Sequence, residues 1–346
     1  MTARGLGPYC ALCAEQDRCE AAGTVLPDYP ECRVFLRDTP PDRIRALFDH
    51  LLAVQGRGDD RLEALVGRLL ARFAVDTSRF SEILEPSVSY AGGAWHAMRF
   101  SYAFPAFREE PRGTVREILG LCEPFGAKLR SFVRALLGPI EDPCVNKPLF
   151  GIAYDGAERW RIKLYVEFTG DAGARAIGLA ARMLSGAVLA ARGDLHLLGI
   201  DLGPKGITAA KLYFRRPEVR TASFHETVGP VDLVRDLARR GVDRLNNVLV
   251  IHRLARADDP GANIPAEVDF ALAENGLRWQ DVRDAPALGQ ALRAPGSPLE
   301  ALQKAFRLGF RRISIPVGRA DKLNAYYVLA EAKTRLSPVP VPSETV

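Results

Sequence analysis

Apolar residues first recur at helical spacing. Over Pro41–Val54 they are Ile44, Leu47, Leu51 and Leu52; over Arg61–Phe73 they are Leu62, Leu65, Val66, Leu69, Leu70 and Phe73. Two amphipathic helices are predicted there. The period then falls to two. Ser87–Tyr90 and Trp95–Ala103 read as strands around Gly92-Gly93, and helical text follows at Thr114–Leu121 and Ala127–Leu137. Pro148–Tyr154 and Trp160–Phe168 form a second hairpin, turning at Asp155-Gly156, a pair suited to the tight hairpin turns. A helix over Ala172–Ala191 precedes a third hairpin, Leu195–Asp201 with Ile207–Arg216, turned through Gly203-Pro204-Lys205-Gly206. A helix over Pro230–Arg240 precedes a fourth, Val248–Leu254 with Glu267–Ala273. Helices near Gln280–Leu292 and Pro298–Leu308 precede the last, Arg312–Val317 with Lys322–Glu331.

Helices followed by a hairpin thus recur along the chain, a repeat of pattern rather than identity with a period of roughly 55 residues. Strands that arrive in pairs argue against a parallel sheet. The expected architecture is an α/β fold: a ten-stranded antiparallel β-barrel inside a ring of α-helices, built from five helix–hairpin repeats. Closure removes the two edges that so wide a sheet would expose. Three regions are expected: a Cys-rich segment over 1–37, the barrel over 38–336 and a Pro-rich flexible tail over 337–346.

The alternation assigns the faces. In Arg161-Ile-Lys163-Leu-Tyr165-Val-Glu167-Phe168 the odd positions are polar and the even ones apolar, and Ala209-Ala-Lys211-Leu-Tyr213-Phe-Arg215 repeats the scheme. Period two puts each set on one face. Amphipathic helices need the apolar face, so Lys163, Tyr165, Lys211 and Tyr213 are expected in the lumen. Taken singly, such a strand reads more readily as the solvated face of an open sheet. Two copies of Lys-Leu-Tyr at equivalent points of successive repeats favour the lumen. Cations there bind oxyanions such as pyrophosphate, and tyrosine rings shield a carbocation.

Composition narrows the setting. Of 346 residues, 47% are hydrophobic and 26% charged, as in globular proteins. No apolar run approaches the roughly 20 residues of a membrane span, and Met1–Pro8 lacks the apolar core of a secretory signal. A cytoplasmic monomer without membrane contact is expected. The net charge of +5 is spread along the chain, without the patch or module of a nucleic-acid binder. Cys10, Cys13, Cys19 and Cys32 read Cys-x2-Cys-x5-Cys-x12-Cys. In a cytosolic chain that spacing points to Zn²⁺ or an iron–sulfur cluster in a structural role, against a set of unrelated cysteines. His96, His196 and His252 fall on strands with no second ligand at matching spacing, and are read as structural or lumen residues.

Helix-then-hairpin repeats with Lys-x-Tyr strands resemble the aromatic prenyltransferases of the ABBA, or PT-barrel, fold. Within that group the chain resembles the enzymes that prenylate cyanobactin-type ribosomal peptides. The matching motifs are Leu84-Glu85-Pro86-Ser87, Met98-Arg99-Phe100, Gly199-Ile200-Asp201-Leu202 and Asn324-Ala325-Tyr326-Tyr327, and the likeness runs from about Glu82 to Glu331. The resemblance implies electrophilic transfer of a dimethylallyl or geranyl group from a prenyl pyrophosphate donor to an aromatic side chain of a peptide acceptor. It gives Glu85 the task of orienting or deprotonating the acceptor. It places pyrophosphate on Arg99, Lys163 and Lys211, and gives cation shielding to Tyr165, Tyr213, Tyr326 and Tyr327. One assisting Mg²⁺ is compatible with it, although Asp59-Asp60 and Asp258-Asp259 read as loop pairs rather than metal-binding motifs. The cysteine cluster lies outside the resemblance. Two other readings stand beside it: prenylation of a small phenol or indole, and a non-catalytic ligand-binding barrel whose cysteines sense metal or redox state.

Overall fold

The computed structural model describes residues 60–75, 84–91, 94–154, 160–184, 194–254, 265–277, 282, 309–318 and 322–328. The expected helices over Pro41–Val54, Gln280–Leu292 and Pro298–Leu308 lie outside these residues, apart from Val282. So do the four N-terminal cysteines and the Pro-rich tail.

Strands β1 (Leu84–Ala91), β2 (Ala94–Ala103), β3 (Val145–Tyr154), β4 (Trp160–Phe168), β5 (Asp194–Gly203), β6 (Gly206–Arg220), β7 (Arg244–Leu254), β8 (Pro265–Ala271), β9 (Gly309–Pro316) and β10 (Lys322–Val328) pair antiparallel in sequence order. The pairing of β1 with β10 closes the barrel, with Ser87 opposite Tyr326 and Ser89 opposite Asn324. Every strand therefore has two neighbours, and the ten-stranded barrel expected from the paired strands is present.

Helices α1 (Asp60–Val75), α2 (Pro111–Leu121), α3 (Ala127–Leu137), α4 (Gly173–Met183) and α5 (Asp232–Arg239) cover the outside. Their apolar stripes, such as Leu62, Leu65 and Leu69 of α1, belong to one core with the outward residues of the strands: Ile162, Leu164 and Val166 of β4, Leu212 and Phe214 of β6. These side chains are almost completely buried, each stabilising the fold by roughly 1.5–3 kcal/mol. A second apolar cluster is separate from this core. It comprises Tyr165, Tyr213, Leu249 and Ile251, with Leu149 and Leu197 packed against it. The strand wall divides the two: odd residues of β4 face the lumen, even ones the helices.

Where strand limits differ from expectation, the cause is local. The expected first strand starts at Ser87 and the expected sixth ends at Arg216, each beside a proline, which lacks the N–H of a ladder. The structure instead carries β1 back to Leu84, and β6 resumes its ladder past Pro217 with Glu218 opposite Asn246. β8 stops at Ala271, two residues early, because a 3₁₀ turn over Ala273–Asn275 follows and Asn275 Nδ2 donates to the Ala271 carbonyl at 2.6 Å. Among the described residues no helix is long and apolar enough to cross a membrane.

Candidate active site

Register stacks the inward side chains in layers. Lys163 lies opposite Asp201, Tyr165 opposite Gly199 and Glu167 opposite Leu197. Lys211 lies between Gly199 and Arg253, and Tyr213 between Leu197 and Ile251. One end of the lumen is thus ionic, the middle aromatic and the far end mixed.

At the ionic end, Lys163 Nζ donates to Asp201 Oδ1 at 2.8 Å, both groups buried. Lys211 Nζ donates to the two oxygens of Glu267 at 3.0 and 3.1 Å. Glu267 also accepts from Lys322 Nζ and, at 3.2 Å, from Ser314 Oγ. Arg99 Nη1 donates to Asn324 Oδ1 at 2.6 Å, while its buried Nε has no hydrogen-bond partner among the described residues. The layer therefore sets four cations against two carboxylates, an excess of positive charge in a site mostly shut off from water. Burial, reinforced by Arg99 and Lys211 and opposed by Asp201, brings Lys163 down to about 7. Burial works against the charge on Glu267, yet Lys211 and Lys322 hold its carboxyl well below the usual range. Lys163 prevails over burial in the same way at Asp201.

Above this layer the rings of Tyr165 and Tyr213 meet edge to face, 6.3 Å apart at 70°. The close fit depends on Gly199. A Cβ there would come within 2.9 Å of Tyr165 and 3.2 Å of Tyr213. Gly151 has a similar constraint, because its Cβ would lie 2.6 Å from the Phe100 carbonyl. Burial raises the hydroxyls of Tyr165, Tyr213 and Tyr326, so all three stay neutral phenols. A bulge between Tyr326 and Tyr327 resets the register, and Tyr327 pairs with Phe310; its side chain lies outside the described set.

The far end holds a cavity of about 170 Å³ whose lining includes Glu85, Leu149, Glu167, His196, Asp269 and Arg312, with the tyrosines as its floor. A single water needs only about 10–15 Å³ on this measure, so the space takes a solute. Arg312 Nε donates to Asp269 Oδ1 at 2.6 Å, and Lys147 lies 3.6 Å from Glu167. Clefts of about 580 Å³ beside Asp142 and Cys144, and of about 430 Å³ beside Phe224 and Arg235, are larger. Both are on the outside of the barrel, away from the converging cations and tyrosines, so size does not decide the site.

The barrel thus brings together Glu85, Arg99, Lys163, Lys211, Tyr165, Tyr213 and Tyr326. Missing from the sequence reading were Glu267, Asp269, Arg312, Ser314 and Lys322; Asp201 and Asn324 had been noted only within motifs. The signal was present in Glu267-Val-Asp269, Arg312-Ile-Ser314 and Lys322-Leu-Asn324-Ala-Tyr326, which alternate as β4 does. His252 packs its ring 5.1 Å from Phe214 on the outer face, whereas Arg253 shares a register position with Lys211. Cys122 and Cys144 are free, buried thiols.

No family model matches the chain, and no curated protein sequence does. Solved structures do. The apo form of the prenyltransferase PriB is 17% identical, with a TM-score of 0.57 over 84% of this chain and 96% of that one. A 6-dimethylallyltryptophan synthase from Micromonospora olivasterospora, in complex with DMASPP and Trp, is 15% identical with a TM-score of 0.58 over 83% and 96%. AnaPT from Neosartorya fischeri is 13% identical with a TM-score of 0.51 over 93% and 98%. The fold is the PT barrel.

Proposed function

We propose that the protein transfers a prenyl group from its pyrophosphate to an aromatic acceptor. One observation carries this reading: a buried cation layer, a belt of neutral tyrosines and an acid-lined cavity follow one another within a single closed lumen. In the proposed course, the pyrophosphate head sits on Arg99, Lys163, Lys211 and Lys322, with the unpartnered Arg99 Nε as one donor. The C1–O bond breaks and its electrons leave with pyrophosphate, where fixed cations stabilise the growing charge. Tyr165, Tyr213 and Tyr326 screen the allylic cation through their ring faces. The acceptor ring attacks C1, and Glu85 accepts a hydrogen bond from its N–H or O–H, which raises its nucleophilicity.

The acceptor is an aromatic ring. The short motifs resembling the cyanobactin-type enzymes support a ribosomal peptide. PriB is solved with L-tryptophan and dimethylallyl thiolodiphosphate, which supports a free aromatic amino acid or small indole to the same degree. The lumen does not suit a resident Mg²⁺. Asp201 and Glu267 are engaged by lysines, and among the described residues no three His, Cys, Asp or Glu side chains group as ligands. We also propose that Cys10, Cys13, Cys19 and Cys32 hold Zn²⁺ or an iron–sulfur cluster structurally, which metal analysis of the full chain would test.

Dimethylallyl and geranyl pyrophosphate should be incubated with L-tryptophan, N-acetyltyrosine and linear and cyclic peptides containing either ring. Prenyl adducts and released pyrophosphate are expected. A higher kcat/KM for peptide than for free amino acid supports the peptide acceptor, and the reverse order removes it. Failure to form an adduct with any pair would overturn the proposed activity.

A further inference from the structure

Prenylation at a ring carbon leaves an arenium ion that must lose its C–H proton, and Glu85 is engaged elsewhere if it holds the acceptor's N–H or O–H. Around the closed barrel the strand order runs β1-β10-β9-β8-β7-β6-β5-β4-β3-β2, so β6 stands directly across the lumen from β1 and β5 is next to it on that far wall. Glu85 is on β1 and His196 on β5, and both line the cavity at the far end. A planar ring between them turns one edge to each.

We propose that His196 is the catalytic base that takes the ring proton, with Glu167 of β4 as its positioning carboxylate; this rests on the prenyl-transfer reading above.

Other groups in the cavity are less suited. Asp269 is held by Arg312 at 2.6 Å. Tyr165, Tyr213 and Tyr326 keep their own protons. Glu167 already accepts from Asn146 Nδ2 at 2.5 Å and pairs with Lys147, so it is better placed to steady an imidazolium than to accept a proton. His196 is half-buried, and its charged surroundings come from several strands: Glu167 of β4, Arg215 of β6, Arg312 of β9 and Asp194 of β5 itself. Burial lowers it below the usual histidine range; Glu167 and Asp194 oppose this, while Arg215 and Arg312 reinforce it. It therefore meets the substrate as a neutral imidazole with a free lone pair. The balance is complete. The C–H electrons return to the ring, the proton goes to an imidazole nitrogen, Glu167 offsets the new charge, and the proton leaves to water at the partly exposed rim.

The test uses the full chain with dimethylallyl pyrophosphate and ring-deuterated tryptophan, or ring-deuterated tyrosine where the wild type alkylates that ring. His196→Gln should lower transfer about a hundredfold, at the low end for a general base, with unchanged affinity for dimethylallyl thiolodiphosphate as the check on folding. Ring deuteration should slow the variant more than the wild type, because proton loss has become limiting. Added imidazole should partly restore His196→Ala. Glu167→Gln should shift the acid limb of kcat/KM to lower pH, since removing a carboxylate lowers the imidazole further. Unchanged rate, isotope effect and pH profile in these variants would overturn the assignment, as would wild-type prenylation at O or N, where no ring proton is lost. No transfer by the wild type at all would instead remove the underlying activity, and the base with it.

Discussion

The two ends of the lumen treat their carboxylates differently. In the cation layer Asp201 and Glu267 are buried and face lysines at hydrogen-bond distance, and Glu267 gathers Lys211, Lys322 and Ser314 around one carboxylate. Both carboxylates there are neutralised within the protein, and the cations left in excess remain for an anionic guest. At the far end Asp269 alone among the described carboxylates is buried and held as closely, by Arg312 at 2.6 Å; Glu85 and Glu167 are only half-buried, and Glu167 pairs with a lysine at the longer distance of 3.6 Å. Buried, tightly paired groups hold a site of fixed geometry, which suits pyrophosphate, the part shared by all prenyl donors. Looser groups beside a cavity suit an acceptor that differs from enzyme to enzyme. Substitutions at the two ends should therefore fail in different ways.

The largest expected effect is at the far end. Glu85→Gln should lower kcat by about 10²–10⁴-fold, the usual range for a general acid–base group, while calorimetry with dimethylallyl thiolodiphosphate shows unchanged donor affinity. A loss of donor affinity would mean that the two ends do not act separately.

Stability should divide in the opposite sense. Glu267→Ala leaves Lys211 and Lys322 facing each other without their carboxylate. Breaking a buried pair costs about 3–5 kcal/mol, and the partial exposure of both lysines places this case near the lower figure. Asp269→Ala at the other end should cost less, about 1–2 kcal/mol, because Arg312 still faces Glu85. Urea unfolding of both variants checks the ordering, and equal losses would contradict the difference drawn between the ends.

Donor binding comes next in size. Arg99→Ala and Lys211→Ala each remove a charged contact of about 1.5–3 kcal/mol, or roughly ten- to a hundredfold in affinity. The KM of the acceptor should not change. A variant that alters acceptor KM alone would place its residue at the wrong end.

This division also explains what could be read in advance. The barrel followed from period two, and two copies of Lys-Leu-Tyr marked the inner face because cation and aromatic alternate there with Leu164 and Leu212 on the outside. Glu267-Val-Asp269 has the same period, but a carboxylate in a strand looks identical whether it faces solvent or two lysines from β6 and β10. Which of these holds depends on closure and register, contacts between residues 55 or more positions apart. Strand limits beside Pro86 and Pro217 depend on which N–H groups the ladder needs, and sequence does not reveal that. His196 carried no motif; its position across from Glu85 comes from strand order alone.

The smallest effect, and the most specific to the cation layer, is on pH. Lys163 falls to about 7, chiefly through burial. Pyrophosphate beside it favours the charged form and raises it again, so at pH 8 donor binding should draw close to one proton from solution. Donor affinity should then weaken as pH rises above 7, by at most about tenfold per unit for a single linked proton. The contribution of Lys163 to stability has the opposite sign. Its folded value lies below the unfolded one, so from about 7 up to its unfolded value of 10.5 the folded state binds fewer protons and this group favours folding more as pH rises. Titration calorimetry in two buffers of different ionisation enthalpy measures the uptake directly. Lys163→Arg should abolish it while retaining donor binding, because a guanidinium stays protonated throughout. His196→Gln, at the far end, should leave the uptake intact. Uptake that vanished with His196 rather than Lys163 would move the linked proton to the acceptor end and undo the division between them.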